Sequence, residues 1–229
     1  MNFQLPDYWL NRPAYSLDES LRADFDRLLD STVSERPGGW IEYALEAPKW
    51  AFLCYAAEVR GFALHGSLNR EIARFEPSQP IDLREFGAQL AVYAAADGIW
   101  PMYFAIVDRE RHPTTIMNAC IHIETPDGMV SPPLYFFSVG SHVIKNWPYT
   151  TGAVYLLPAE GFTAEPPMPF GEARVHTAQL ASFEPVEPLA KLAIAPEDFP
   201  FLQQMRAHDD ARLEEFADAL MRGLPWPGD

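Results

Sequence analysis

Apolar runs of strand length, each closed off by glycine, proline or asparagine, fill the middle of this chain, while helical patterns stand only at its two ends. Thr115–Glu124, Pro133–Ser141 and Gly152–Pro158 are the clearest strand-like runs, and Ala173–Phe183 and Pro188–Ile194 each read as one more. Before them, Ser16-Leu17-Asp18-Glu19 reads as a capping box with Ser16 as N-cap. The helix it opens places Leu17, Leu21, Phe25, Leu28 and Leu29 on one face and stops at Pro37-Gly38-Gly39. A second helix is expected from Pro48, apolar on most sides from Trp50 to Val59 and therefore buried, with Gly61 as its stop. Helical spacing returns over Phe201–Arg222, ended by Gly223. Helices, then strands, then a helix predict an α+β fold rather than an alternating parallel α/β one.

The 229 residues suffice for one domain with a full hydrophobic core. The division expected is a helical N-terminal extension over 1–60, a β core over 61–194 and a C-terminal helix over 195–229, with residues 1–15 lying as an arm across the body. A formal charge of −15 argues against binding nucleic acid through its phosphates and against docking on an anionic membrane. No apolar stretch is long enough to span a bilayer, and the N-terminus lacks the basic and apolar regions of a signal peptide. Cys54 and Cys120, the two cysteines, lie in apolar sequence and read as buried free thiols. These features predict a cytoplasmic setting.

Gly61-Phe62-Ala63-Leu64 is a short apolar run suited to a central strand, and it leads into His65-Gly66-Ser67. His65 brings two ring nitrogens, Gly66 admits close approach to the backbone, and Ser67 adds a hydroxyl. Ile72–Pro77 reads as a short strand or bend, and Ser78–Gly87 as a polar loop. Ala91-Val92-Tyr93-Ala94-Ala95 is a further strand-length run, after which Asp97 is placed to cap a helix over Gly98–Val107. No pair of the six histidines has zinc-helix spacing and no Cys-x-x-Cys occurs, so no metal site is expected. His112 and His208, set in charged sequence, are expected in solvent, and His122 on a strand facing polar surroundings. Dinucleotide-fold, P-loop and nucleophile-elbow patterns are absent.

Leu64-His65-Gly66-Ser67, followed by Ile72 with Glu76-Pro77 and then by Ala91-Val92-Tyr93-Ala94-Ala95-Ala96-Asp97, resembles the first two motifs of the ADP-ribosyltransferase superfamily. The branch in question carries a His–Tyr–Glu triad. Gln179-Leu180-Ala181-Ser182-Phe183-Glu184-Pro185-Val186 is similar to the late strand that bears the glutamate, which puts Gln179 at the third triad position. The resemblance covers about residues 61–194. It implies a split antiparallel β-sheet core and NAD as substrate, with ADP-ribose transferred to an acceptor or hydrolysed.

In that reading His65 bonds a ribose hydroxyl, Gly66 offers its backbone to the nicotinamide carboxamide, Ser67 assists there and Tyr93 stacks on the ring. Gln179 holds ribose hydroxyls but brings no charge to an oxocarbenium-like state, which makes polymer synthesis the least expected activity. Glu184 and Glu187 are nearby carboxylates, Lys145 and Arg174 candidate diphosphate partners, and Trp100 and Trp147 candidate walls for a flat ring. The acceptor is open. A catalytically degenerate binding module with the same fold stays an alternative, as does an unrelated enzyme centred on His65 and Ser67.

Overall fold

The computed structural model describes residues 5–79 and 84–227. Part of the expected 78–87 loop therefore lies outside the described residues, as do residues 1–4. The described residues form two six-stranded sheets, almost wholly antiparallel, with helices packed against them: an α+β architecture.

In one sheet, β2 (Phe62–Ser67) is central and the order is β11 (Ala190–Ile194), β6 (Gly152–Pro158), β2, β3 (Val92–Ala95), β10 (Gln179–Ser182), β7 (Thr163–Ala164). The other runs β1 (Leu10–Asn11), β5 (Leu134–Gly140), β4 (Ile116–Glu124), β9 (Ala173–Thr177), β8 (Met168–Phe170). A twelfth strand, β12 (Arg206–His208), lies parallel to the end of β5.

Three sequence expectations change. Ala173–Phe183 is two strands: β9 belongs to one sheet and β10 to the other. The chain crosses at Ala178, whose N–H donates to Cys120 and whose carbonyl accepts from Ala96. The first helix, α1 (Glu19–Glu35), is capped by Asp18 rather than Ser16, because the Asp18 carboxylate reaches the Leu21 N–H at 2.8 Å. The C-terminal helical pattern begins too early: Arg206–His208 is a strand, and only Leu213–Arg222 (α5) is α-helical. Pairing with β5 overrides local propensity there, and it draws His208 out of solvent. His208 is buried, with Ser138 on Nδ1 and Thr115 on Nε2 at 2.7 Å.

The residues before 60 are not an appendage. Helix α2 (Lys49–Glu58) buries every residue from Trp50 to Ala57, sharing one core with Leu64, Ala95, Val154 and Leu192 of the central sheet. Each such Leu or Phe side chain stabilises the fold by about 1.5–3 kcal/mol on full burial. Gly61, at φ +71°, supplies the left-handed turn into β2. The N-terminal arm is pinned too: Arg12 reaches Glu58, Asp97 and the Tyr135 hydroxyl. Cys54, Glu58 and Asp97 bring their ligand atoms within 4.8 Å of one another, but the Arg12 guanidinium pairs with both carboxylates and burial pushes the Cys54 thiol up. The group is an ion-pair network. Among the described residues, no helix is long and apolar enough to cross a membrane.

Candidate functional site

β2 is laddered to β6 along its whole length, from Phe62↔Pro158 to Ser67↔Ala153. To β3 it is paired at one position only, Leu64↔Ala95. Beyond Leu64 the two strands part, and His65 stands at the parting. Its Nδ1 lies 2.6 Å from the Tyr93 carbonyl oxygen. A carbonyl only accepts, so Nδ1 carries the proton and Nε2 is left as an acceptor. The ring also packs against Phe75, tilted, with centroids 4.7 Å apart. Burial holds the imidazole below the ordinary histidine range, and the bond to Tyr93 offsets this in part. His65 is neutral.

Gly66 is explained by packing. A Cβ there would sit 1.7 Å from the carbonyl oxygen of Pro101 in helix α3 (Trp100–Ile106), so the close approach that demands glycine is that of α3. Asp97 starts this helix as expected, accepting from the N–H groups of Ile99 and Trp100 at 2.8 and 2.7 Å. Ser67 accepts from the Asn69 N–H at 3.1 Å, and its own hydroxyl hydrogen stays available to donate.

Tyr93 is half-buried, and its hydroxyl is shared between the carbonyls of Phe86 (2.9 Å) and Gln89 (2.8 Å). In the β3–β10 ladder Gln179 opposes Ala95 and Ala181 opposes Tyr93. Gln179 and Tyr93 thus share a face of the sheet as diagonal neighbours, whereas alternation along β2 gives His65 the opposite face. The three residues therefore flank the β2–β3 gap and do not converge on one side of it. The Gln179 side chain is held by Arg84, whose Nη2 donates to Oε1 at 2.7 Å.

The remaining expected residues lie elsewhere. Glu184 and Glu187 are exposed. Arg174 pairs across from Glu124 on the other sheet, and Lys145 follows the short helix α4 (Ser141–Ile144), which continues from the end of that sheet's β5. Trp100 is core, with its indole N–H on Asn118, and Trp147 is exposed. Two surface hollows, of about 440 and 310 Å³, are lined by Tyr43, Lys49 and Asp198 and by Glu124, Glu172 and Arg174 respectively; neither includes His65, Tyr93 or Gln179. Sequence reasoning missed Glu165, a buried carboxylate beside Gln179. Its place depends on the β7–β10 pairing, which no local pattern announces. Comparison with family models, curated proteins and solved structures gives no match to this chain.

Neutral His65 and His208 set a pH dependence. Burial lowers both, while the Tyr93 carbonyl at His65 and the Asp210 carboxylate at His208 work against it. The unfolded chain takes up protons near the ordinary value of about 6.5, before the folded chain does. The stability these groups contribute is therefore complete above that value and is lost as pH falls through the folded pKa. Thermal unfolding from pH 8 to pH 5 should cost the wild type more stability than His65→Gln. Parallel curves would contradict the neutral assignment.

Proposed function

We propose that the chain binds NAD in the gap between β2 and β3 and breaks its nicotinamide–ribose bond, passing ADP-ribose to water or to an acceptor. The observation that carries this is the single β2–β3 pair at Leu64↔Ala95, which leaves His65, Gly66 and Ser67 of a central strand facing β3 without a ladder. His65 Nε2 accepts from a ribose hydroxyl. The backbone of Gly66 and the hydroxyl of Ser67 serve the carboxamide, and the Tyr93 ring lies along the nicotinamide. In the reaction the carbon–nitrogen bond breaks with its electron pair leaving on nicotinamide. An acceptor oxygen then bonds to the ribose carbon and gives up its proton to water.

One observation favours a second reading, a module that binds the dinucleotide without cleaving it. The third position is an amide tied to Arg84, and the nearby carboxylates Glu184 and Glu187 are exposed. Following nicotinamide release chromatographically decides between them. The enzyme reading expects turnover that Tyr93→Ala lowers about tenfold, the value of one aromatic stack. Saturable binding with no release by the wild type selects the second reading.

A further inference from the structure

Helix α2 begins without a cap. Pro48 at its N-cap has no side-chain acceptor, and among the described residues nothing accepts from the backbone N–H of Lys49 or of Trp50. These are two of the donors that a helix N-terminus leaves unpaired, at the positive end of its dipole. They open into the surface hollow of about 440 Å³ that Pro48, Lys49 and Trp50 help to line. Trp50 is an independent sign of a ligand. It is only 8% exposed, yet its indole N–H has no acceptor among the described residues. Every fully buried side-chain nitrogen and oxygen among those residues has a partner, so this N–H reaches the surface, and it does so at the hollow. Lys49 brings a fourth donor: Nζ gives one hydrogen to the Ala193 carbonyl at 2.9 Å and one to Asp198 at 2.8 Å, and keeps a third. The same hollow carries the carboxylates of Glu46 and Glu197, both exposed and neither paired among the described residues.

We propose that this hollow binds a small zwitterion of the α-amino-acid class, its carboxylate on the α2 N-terminus, the Trp50 indole N–H and Lys49, and its ammonium against Glu46 and Glu197. The balance of charge selects that class. Asp198 is neutralised by Lys49, so the two glutamates leave the hollow net negative and disfavour a simple anion. A simple cation would meet the glutamates but leave all four donors unused. A molecule with both charges on neighbouring atoms satisfies both sets, and a carboxylate suits a helix N-terminus. Leu45, Ala47 and Pro200 offer its side chain an apolar wall. His65, Tyr93 and Gln179 do not line this hollow, so the proposal is independent of the dinucleotide reading.

The test is calorimetric titration of the full chain with the standard L-amino acids, and then with the deaminated acid and the decarboxylated amine of the tightest binder. The wild type should bind the amino acid about tenfold more tightly than either analogue, the worth of one charge-assisted bond. Glu46→Gln combined with Glu197→Gln should bring the preference over the acid to within about twofold, while the acid itself binds as before or better. Both glutamates are exposed and unpaired, so this variant keeps its fold. Trp50→Phe should weaken the amino acid and the acid alike, by about fivefold, and leave the amine unchanged. A wild type that binds no amino acid at millimolar concentration overturns the proposal. So does a double glutamine variant that keeps the full preference, whether or not Trp50→Phe folds.

Discussion

Asp97→Asn is expected to destabilise the fold by about 3 kcal/mol, the lower end of the cost of breaking a buried ion pair. Asp97 is 2% exposed and uses both carboxylate oxygens. Oδ1 caps helix α3 through the N–H groups of Ile99 and Trp100, and Oδ2 accepts from Arg12 at 2.8 Å and from the Tyr135 hydroxyl at 2.6 Å. An asparagine that keeps the cap must turn its NH₂ toward the Arg12 guanidinium, setting donor against donor. The lower end of the range applies because Arg12 keeps Glu58 and some contact with water. In a chain of this size the melting temperature should fall by about 10 °C. Asp97→Ala loses the cap as well and should cost about 1 kcal/mol more. A shift of under about 2 °C in either variant, by differential scanning fluorimetry, would show that the network does not anchor the arm and α3.

Gly66→Ala should be at least as damaging, and for a reason separate from any ligand. The new Cβ would lie 1.7 Å from the Pro101 carbonyl oxygen and 2.7 Å from its carbon, both backbone atoms that no side-chain rotation can move aside. Two other glycines work on the same layer. A Cβ on Gly152 would meet the Ala105 carbonyl at 2.1 Å, and one on Gly98 would meet the Cys54 N–H nitrogen at 2.1 Å. Gly66 and Gly152 let α3 lie directly on the backbone of the central sheet, and Gly98 lets the turn before α3 lie directly on the backbone of α2. Forcing β2 and α3 apart belongs at the upper end of overpacking costs, about 3 kcal/mol or more. Gly61→Ala is the control: no atom lies within 4 Å of its Cβ, and only the positive φ is penalised, at about 1–2 kcal/mol. Circular dichroism melts of the two variants separate the causes. A Gly66→Ala protein that melts like the wild type would make room for a ligand, rather than packing, the reason for glycine.

Local patterns announced the elements whose signals are local. The apolar run Trp50 to Val59, the Asp97 cap with Pro101 in the first turn, and the strands bearing His65 and Tyr93 all lie close to their expected places. What sequence could not show depends on distant partners. Nothing in Ala173–Phe183 marks Ala178 as the crossing between sheets, because both halves have strand composition and the turn is set by Cys120 and Ala96. His208 looks solvated among Arg206, Asp209 and Asp210 until β12 lies along β5 and presents it to Ser138 and Thr115. The site was legible in the same measure. His65 and Tyr93 meet through a hydrogen bond, but the state of Gln179 is decided by Arg84, 95 positions earlier, and by Glu165, which directly follows the edge strand β7.

The proposed function requires that the gap between β2 and β3 receive a nicotinamide dinucleotide. Calorimetric titration of the wild-type chain with NAD, repeated on Tyr93→Ala, tests it most directly. Saturable binding at one site per chain, weakened about tenfold by the substitution, is expected. A titration that shows no heat beyond dilution at millimolar NAD, with the chain folded, would contradict it and return His65 to the role of a core histidine bonded to a strand carbonyl.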